Sequence, residues 1–105
     1  MEVKELANTI QTVADNYAKD FDVPYSADWF VMKLQEELGE LVQAHLILSH
    51  RTRRKPTSEV EARTRLAEEI ADVFSYVLLF AHEVNIDIEA AVKEKWFSYL
   101  TQNQE

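Results

Sequence analysis

The chain has 105 residues, with 11 Lys and Arg against 19 Asp and Glu, giving a formal charge of −8. One glycine and two prolines are too few turn residues for an all-β fold, and one glycine cannot build a P-loop or a dinucleotide-binding loop. The absence of cysteine excludes a disulfide framework, a thiolate zinc site and a cysteine nucleophile. The acidic balance repels nucleic-acid backbones.

Length and an apolar content of 47% predict one globular domain spanning residues 1–105. The first ten residues, MEVKELANTI, are charged and periodic rather than an apolar leader. The longest apolar stretch, Val77 to Ala81, is too short to cross a bilayer. A cytoplasmic protein without membrane contact is the expectation.

Four helices are predicted. In the first, Val3, Leu6, Ile10, Val13, Tyr17 and Phe21 recur every three or four residues and mark one face. The segment DFDVPYS, from Asp20 to Ser26, breaks that pattern, and Ser26 is placed to cap a second helix. Its apolar stripe is Phe30, Leu34, Leu38, Leu41, His45 and Leu48. A basic connector, HRTRRK from His50 to Lys55 and then Pro56, precedes a third helix capped by Thr57 or Ser58, with Glu61 completing a capping box. The third stripe is Leu66, Ile70, Val73, Val77 and Phe80. Asn85 and Asp87 mark a short break, Asp87 caps a fourth helix, and Ile88, Ala91, Val92 and Trp96 or Tyr99 are its expected inner residues. The polar end TQNQE is expected to fray.

The second and third helices echo each other. Residues 34–41, LQEELGEL, match residues 66–73, LAEEIADV, so Glu36 aligns with Glu68, Glu37 with Glu69 and Glu40 with Asp72. At about 100° per residue, Glu37 lies roughly 60° and Glu40 roughly 120° to one side of Leu34. Glu69 and Asp72 take the same offsets from Leu66. Both acid pairs therefore flank an apolar stripe on the same side. If the two helices pack antiparallel through their stripes, four carboxylates converge. Such a cluster is costly to desolvate, and a hard divalent cation with oxygen ligands relieves the repulsion. The alternative is a solvated acidic face, since Glu is a common helix former.

These residues resemble the MazG-type all-α nucleoside triphosphate pyrophosphohydrolases, whose pattern is E-E-x-x-E, a spacer, then E-x-x-D. Here it reads Glu36-Glu37-Leu38-Gly39-Glu40 and Glu69-Ile70-Ala71-Asp72, inside the phrases KLQEELGEL and LAEEIADVFSYVLLF. The likeness runs over roughly residues 26–99, with a long spacer from Leu41 to Glu68. It implies an all-α, four-helix protomer that assembles into dimers or tetramers. It also implies Mg2+-dependent cleavage of a nucleoside triphosphate to monophosphate and pyrophosphate, with Mn2+ able to substitute. Carried over, Glu37, Glu40, Glu69 and Asp72 hold the metal, and Glu36 ligates a second ion or orients the attacking water. Lys95 occupies the place of a phosphate-contacting lysine, and Tyr76 that of an aromatic near sugar or phosphate. Trp29 stands where the family forms its base pocket. Lys33, one turn before Glu36, meets a phosphate or pairs with Glu37. Structural alternatives stand beside these roles: Trp29 as core, Tyr76 as a boundary residue and Lys95 as a solvated lysine. The chain departs from the family after Lys95, with Tyr99, Leu100 and Thr101 in place of an Asn, a basic residue and Tyr-Pro.

His45, on the second stripe, is expected to be a core or interface histidine rather than a ligand. No E-x-x-H motif of di-iron bundles accompanies it. Apolar residues such as Phe74, Leu78 and Leu79 are expected to exceed what one small core covers, favouring a second copy. Two other readings stand beside this one: the related phosphoribosyl-ATP pyrophosphohydrolase, which the resemblance also admits but which needs a larger, more basic pocket, and a helical interaction module without catalysis.

Overall fold

A computed structural model describes residues 1–56 and 58–103, with backbone alone for 101–103. The protein is all-α. Helix α1 is Val3–Phe21, α2 is Ala27–Leu48 and α3 is Glu59–Glu83. The fourth helical segment is α4, Ile88–Val92, a π-helical turn, Lys93–Phe97, and α5, Ser98–Asn103. None of the described helices is long and apolar enough to cross a membrane. The chain divides into two compact units, one of Met1–Ala27 with Leu78–Glu105, the other of Asp28–Val77.

The helix ends follow the expected chemistry. Ser26 immediately precedes α2, at the N-cap position. Ser58 Oγ accepts from the Glu61 amide at 3.1 Å, and Asp87 Oδ1 accepts from the Ala90 amide at 3.0 Å, each satisfying an orphan donor of a first turn. The alternative cap, Thr57, lies outside the described residues. The C-terminal ends turn through left-handed backbone at Asp22, His50 and Asn85, with φ of 54°, 58° and 59°. After α2, the Arg51 amide donates to the Leu46 carbonyl at 2.9 Å and the His50 amide to Ile47 at 3.2 Å. After α3, Ile86 donates to Ala81 at 2.9 Å and Asn85 to His82 at 3.1 Å. Both are Schellman closures, here made without glycine. The chain's one glycine, Gly39, sits inside α2 instead. Backbone helix continues through Asn103, and the rest of the expected fraying end, Gln104 and Glu105, lies outside the described residues.

In the unit of Asp28–Val77, α2 and α3 run antiparallel. Trp29, early on α2, meets Tyr76, late on α3, while Glu37 and Glu40 further along α2 meet Glu69 earlier on α3. The inward faces are rotated from the expected stripes. On α2 the buried residues are Phe30, Glu37, Ala44 and Ile47, while Leu38 is 49% exposed and His45 is also at the surface. On α3, Ala62 and Glu69 are buried and Ile70 is 52% exposed. Relative to Leu34 and Leu66, both helices have turned about 60° toward their acids. The reason is visible in the alanines: Ala44 and Ala62 occupy inward positions and allow close packing, which no count of large apolar residues anticipates.

In the other unit the same correction applies to α1. Ala14 is its buried residue, while Val13, Tyr17 and Phe21 are exposed, the last two stacking on each other with ring centroids 4.6 Å apart. Leu78 and Leu79 are buried, contrary to their expected place on an uncovered patch, whereas Phe74 is indeed exposed. Val3, Ala7, Leu78, Ala81, Ile86 and Ile88 line an open cleft of about 220 Å³. The fourth segment buries none of its predicted inner residues: Val92, Trp96 and Tyr99 are all exposed.

Candidate metal centre

The centre lies midway along the α2–α3 pair. Carboxylate oxygens of Glu37, Glu40 and Glu69 come within 4.8 Å of one another. The echo in the sequence explains this. Glu37 and Glu69 hold equivalent positions on two antiparallel helices that both turn their acid flank inward. Glu37 and Glu69 are buried, Glu40 is half-buried at the rim, and Asp72 is exposed.

Two of the buried oxygens, Oε2 of Glu37 and Oε2 of Glu69, have no hydrogen-bond partner among the described residues. An unpartnered buried carboxylate oxygen costs free energy on the order of 1–3 kcal/mol or more. Burial pushes the Glu37 carboxyl up to about 7, and contact with Glu69 and Glu40 and the charge of Asp72 add in the same direction. Among the described residues, the cation paired beside the cluster is Lys33, whose Nζ lies 3.4 Å from Glu36 and 3.7 Å from Glu37. Burial alone would lower the Lys33 ammonium, but the Glu36 carboxylate outweighs it and the net shift is upward. One ammonium does not neutralise three converging carboxylates. A hard divalent ion would, and all the donors are oxygens of the kind Mg2+ and Mn2+ accept. Glu37, Glu40 and Glu69 therefore fit such an ion, with Asp72 near enough for its charge to act on Glu37.

The other anticipated residues divide into two groups. Trp29, Phe30 and Tyr76 form an aromatic cluster at one end of the same unit. Trp29 meets Phe30 edge-on at 5.6 Å between ring centroids, and Tyr76 lies 6.2 Å from Trp29 and 6.4 Å from Phe30. Phe30 is fully buried, while Trp29 and Tyr76 are half-buried. Trp29 stands eight residues before Glu37 and Tyr76 seven after Glu69, about 10–12 Å along a helix, so the aromatic rims stand two turns from the buried carboxylates, with Asp72 one turn from Tyr76. Glu36 is exposed and held by Lys33. Lys95 belongs to the other unit, exposed within the π-helical turn. Phe30, next to Trp29 ahead of the acidic motif, was expected in this aromatic group and joins it; the pairing of Lys33 with Glu36 was not anticipated.

His45 makes a contact of another kind. Its Nε2 lies 3.2 Å from Arg51 Nη2. Because a guanidinium only donates, Nε2 takes the acceptor role in this contact. His45 is exposed and so is not a core residue.

No family model matches this sequence, and no solved structure matches it. Over 97 residues it is 30% identical to the uncharacterized protein YpjD of Bacillus subtilis (strain 168), a match covering 91% of the chain and 85% of the relative.

Proposed function

We propose that this chain, which belongs to the family of Bacillus subtilis protein YpjD, is a Mg2+-dependent nucleoside triphosphate pyrophosphohydrolase acting in nucleotide-pool house-cleaning. The observation that carries this is the pair of buried, unpartnered oxygens on Glu37 and Glu69, set beside Glu40. A fold does not retain so costly a cluster for stability; charge convergence of this type is a mark of function.

Glu37, Glu40 and Glu69 would hold the ion, with Asp72 completing the set. Bound there, it would neutralise the triphosphate, polarise the phosphoryl oxygens and lower the pKa of a bound water. Glu36, at the solvent edge of the cluster, orients the attacking water or ligates a second ion. Lys33 keeps Glu36 and Glu37 in place and offers an ammonium to a phosphate oxygen. Water adds across the α–β anhydride, so monophosphate and pyrophosphate leave. The half-buried faces of Trp29 and Tyr76, two turns away, suit the flat apolar faces of a nucleobase. Exposed Leu38, Ile70 and Phe74 support assembly with a second copy into a dimer or tetramer.

The test is product analysis. The purified protein is incubated with ribo- and deoxynucleoside triphosphates, with and without Mg2+ or Mn2+. Monophosphate and pyrophosphate, formed only with metal and lost in Glu69→Gln, are expected. Diphosphate and phosphate would reject the reaction. No turnover, with phosphoribosyl-ATP cleaved instead, would select the related pyrophosphohydrolase. No turnover of either, with no effect of metal on stability, would leave the interaction module.

A further inference from the structure

The charge of this chain is not spread evenly. Residues 41–58 contain none of its 19 acids but four of its 11 basic residues, Arg51, Arg53, Arg54 and Lys55, all within the α2–α3 connector. Random solvation of surface cations in so acidic a chain would draw some of them into ion pairs. The ion pairs among the described residues instead join Lys33 to Glu36 and Glu37, and Lys93 to Glu89. The four connector cations are exposed and have no carboxylate partner among the described residues.

Arg51 is also held in place. Its amide closes the end of α2 on the Leu46 carbonyl at 2.9 Å. Its Nε donates to Ser49 Oγ at 3.2 Å, and its Nη2 to His45 Nε2 at 3.2 Å. Ser49 Oγ is itself fixed by donating to the His45 carbonyl at 2.8 Å. Neutral partners orient the guanidinium without cancelling its charge, and the left-handed turn at His50 sets the connector's departure from the helix. A fixed, unneutralised fork with three further cations within four residues is matched to a multivalent oxyanion.

We propose that the α2–α3 connector is a binding site for an oligophosphate anion of the pyrophosphate class, anchored by Arg51 with Arg53, Arg54 and Lys55. It is separate from the carboxylate centre: the last residue of α2, Leu48, lies eight residues past Glu40, about 12 Å along the helix. It needs no metal and does not rest on the hydrolase assignment.

The experiment is calorimetric titration of inorganic pyrophosphate into the full chain in metal-stripped, low-salt buffer. Saturable binding is expected, weakening with added salt. It should fall about tenfold or more in the double variant Arg51→Gln, Arg54→Gln. It should persist in Glu69→Gln and in the charge-matched control Lys4→Gln, Lys19→Gln. Circular dichroism confirms that each variant is folded, and an Arg53→Gln, Lys55→Gln variant, altering no side chain with a hydrogen bond or ion pair among the described residues, repeats the test should Arg51 prove necessary for folding. Absence of saturable binding to the parent chain overturns the proposal, as does equal weakening in the control. Loss of binding in Glu69→Gln also overturns it, placing pyrophosphate at the carboxylates. The hydrolase assignment is untouched by any of these results, because its own test reads nucleotide products in the presence of metal.

Discussion

Glu37 and Glu69 face each other from equivalent positions on antiparallel helices, each with one buried oxygen that no described residue satisfies. That arrangement stores repulsion in the metal-free protein, and most of the expected behaviour follows from it.

Stability of the metal-free protein should fall as pH rises from about 4.5 to about 7. The Glu37 carboxyl is raised from 4.5 to about 7 in the folded state, so the fold binds more proton than the unfolded chain across that window. The contribution is fully present below the unfolded value and is lost as pH passes the folded one, at up to about 1.4 kcal/mol per pH unit. Urea denaturation in chelator-treated buffer across this range measures it. Added Mg2+ should reverse the slope, because its ligands must be deprotonated. A flat metal-free profile would refute the convergence of charge.

Replacing Glu37 with Gln should stabilise the metal-free protein by about 1–2 kcal/mol, since the new amide can donate to Glu69 where two carboxylates met. The same substitution should abolish Mg2+-dependent thermal stabilisation and any nucleotide turnover. Thermal melts of both proteins with and without Mg2+ provide the comparison.

Gly39→Ala should raise stability by about 1 kcal/mol. The glycine lies inside α2, and a methyl group added there meets nothing within 4 Å. Only the helix-propensity difference remains. A shift of the urea midpoint without a change in slope is the expected signature.

Leu38 and Ile70 occupy equivalent places on the two helices and are 49% and 52% exposed, and Phe74 is exposed beside them. The double variant Leu38→Glu, Ile70→Glu should convert an associated protein into monomer in sedimentation velocity, while the far-UV circular dichroism stays helical. A parent chain that is already monomeric at high concentration would remove the case for self-assembly.

Helix number, the Asp87 cap and the basic connector could be read from residue order because caps and charge runs are local. Pairing of the two acid motifs was also accessible, since the echo puts Glu37 and Glu69 at one offset. The direction each helix faces was not. A count of large apolar side chains pointed α2 inward along Leu38 and His45, yet the packed face runs through Phe30, Glu37 and Ala44. Small residues decide close approach, and which apolar stripe they leave outside depends on the partner helix. The place of Lys33 between Glu36 and Glu37 was half seen: spacing suggested one pair, and the side chain makes both.

The π-helical turn at Lys93–Phe97 accommodates one residue more than an α-helical turn would. It therefore acts as a phase shifter. Removing a single residue from that turn would restore ordinary helical winding and swing Tyr99 and Leu100 about 100° around the axis. The chain's last aromatic face is thus aimed by an insertion, and length variation of one residue there, without any change of side-chain chemistry, would re-aim it.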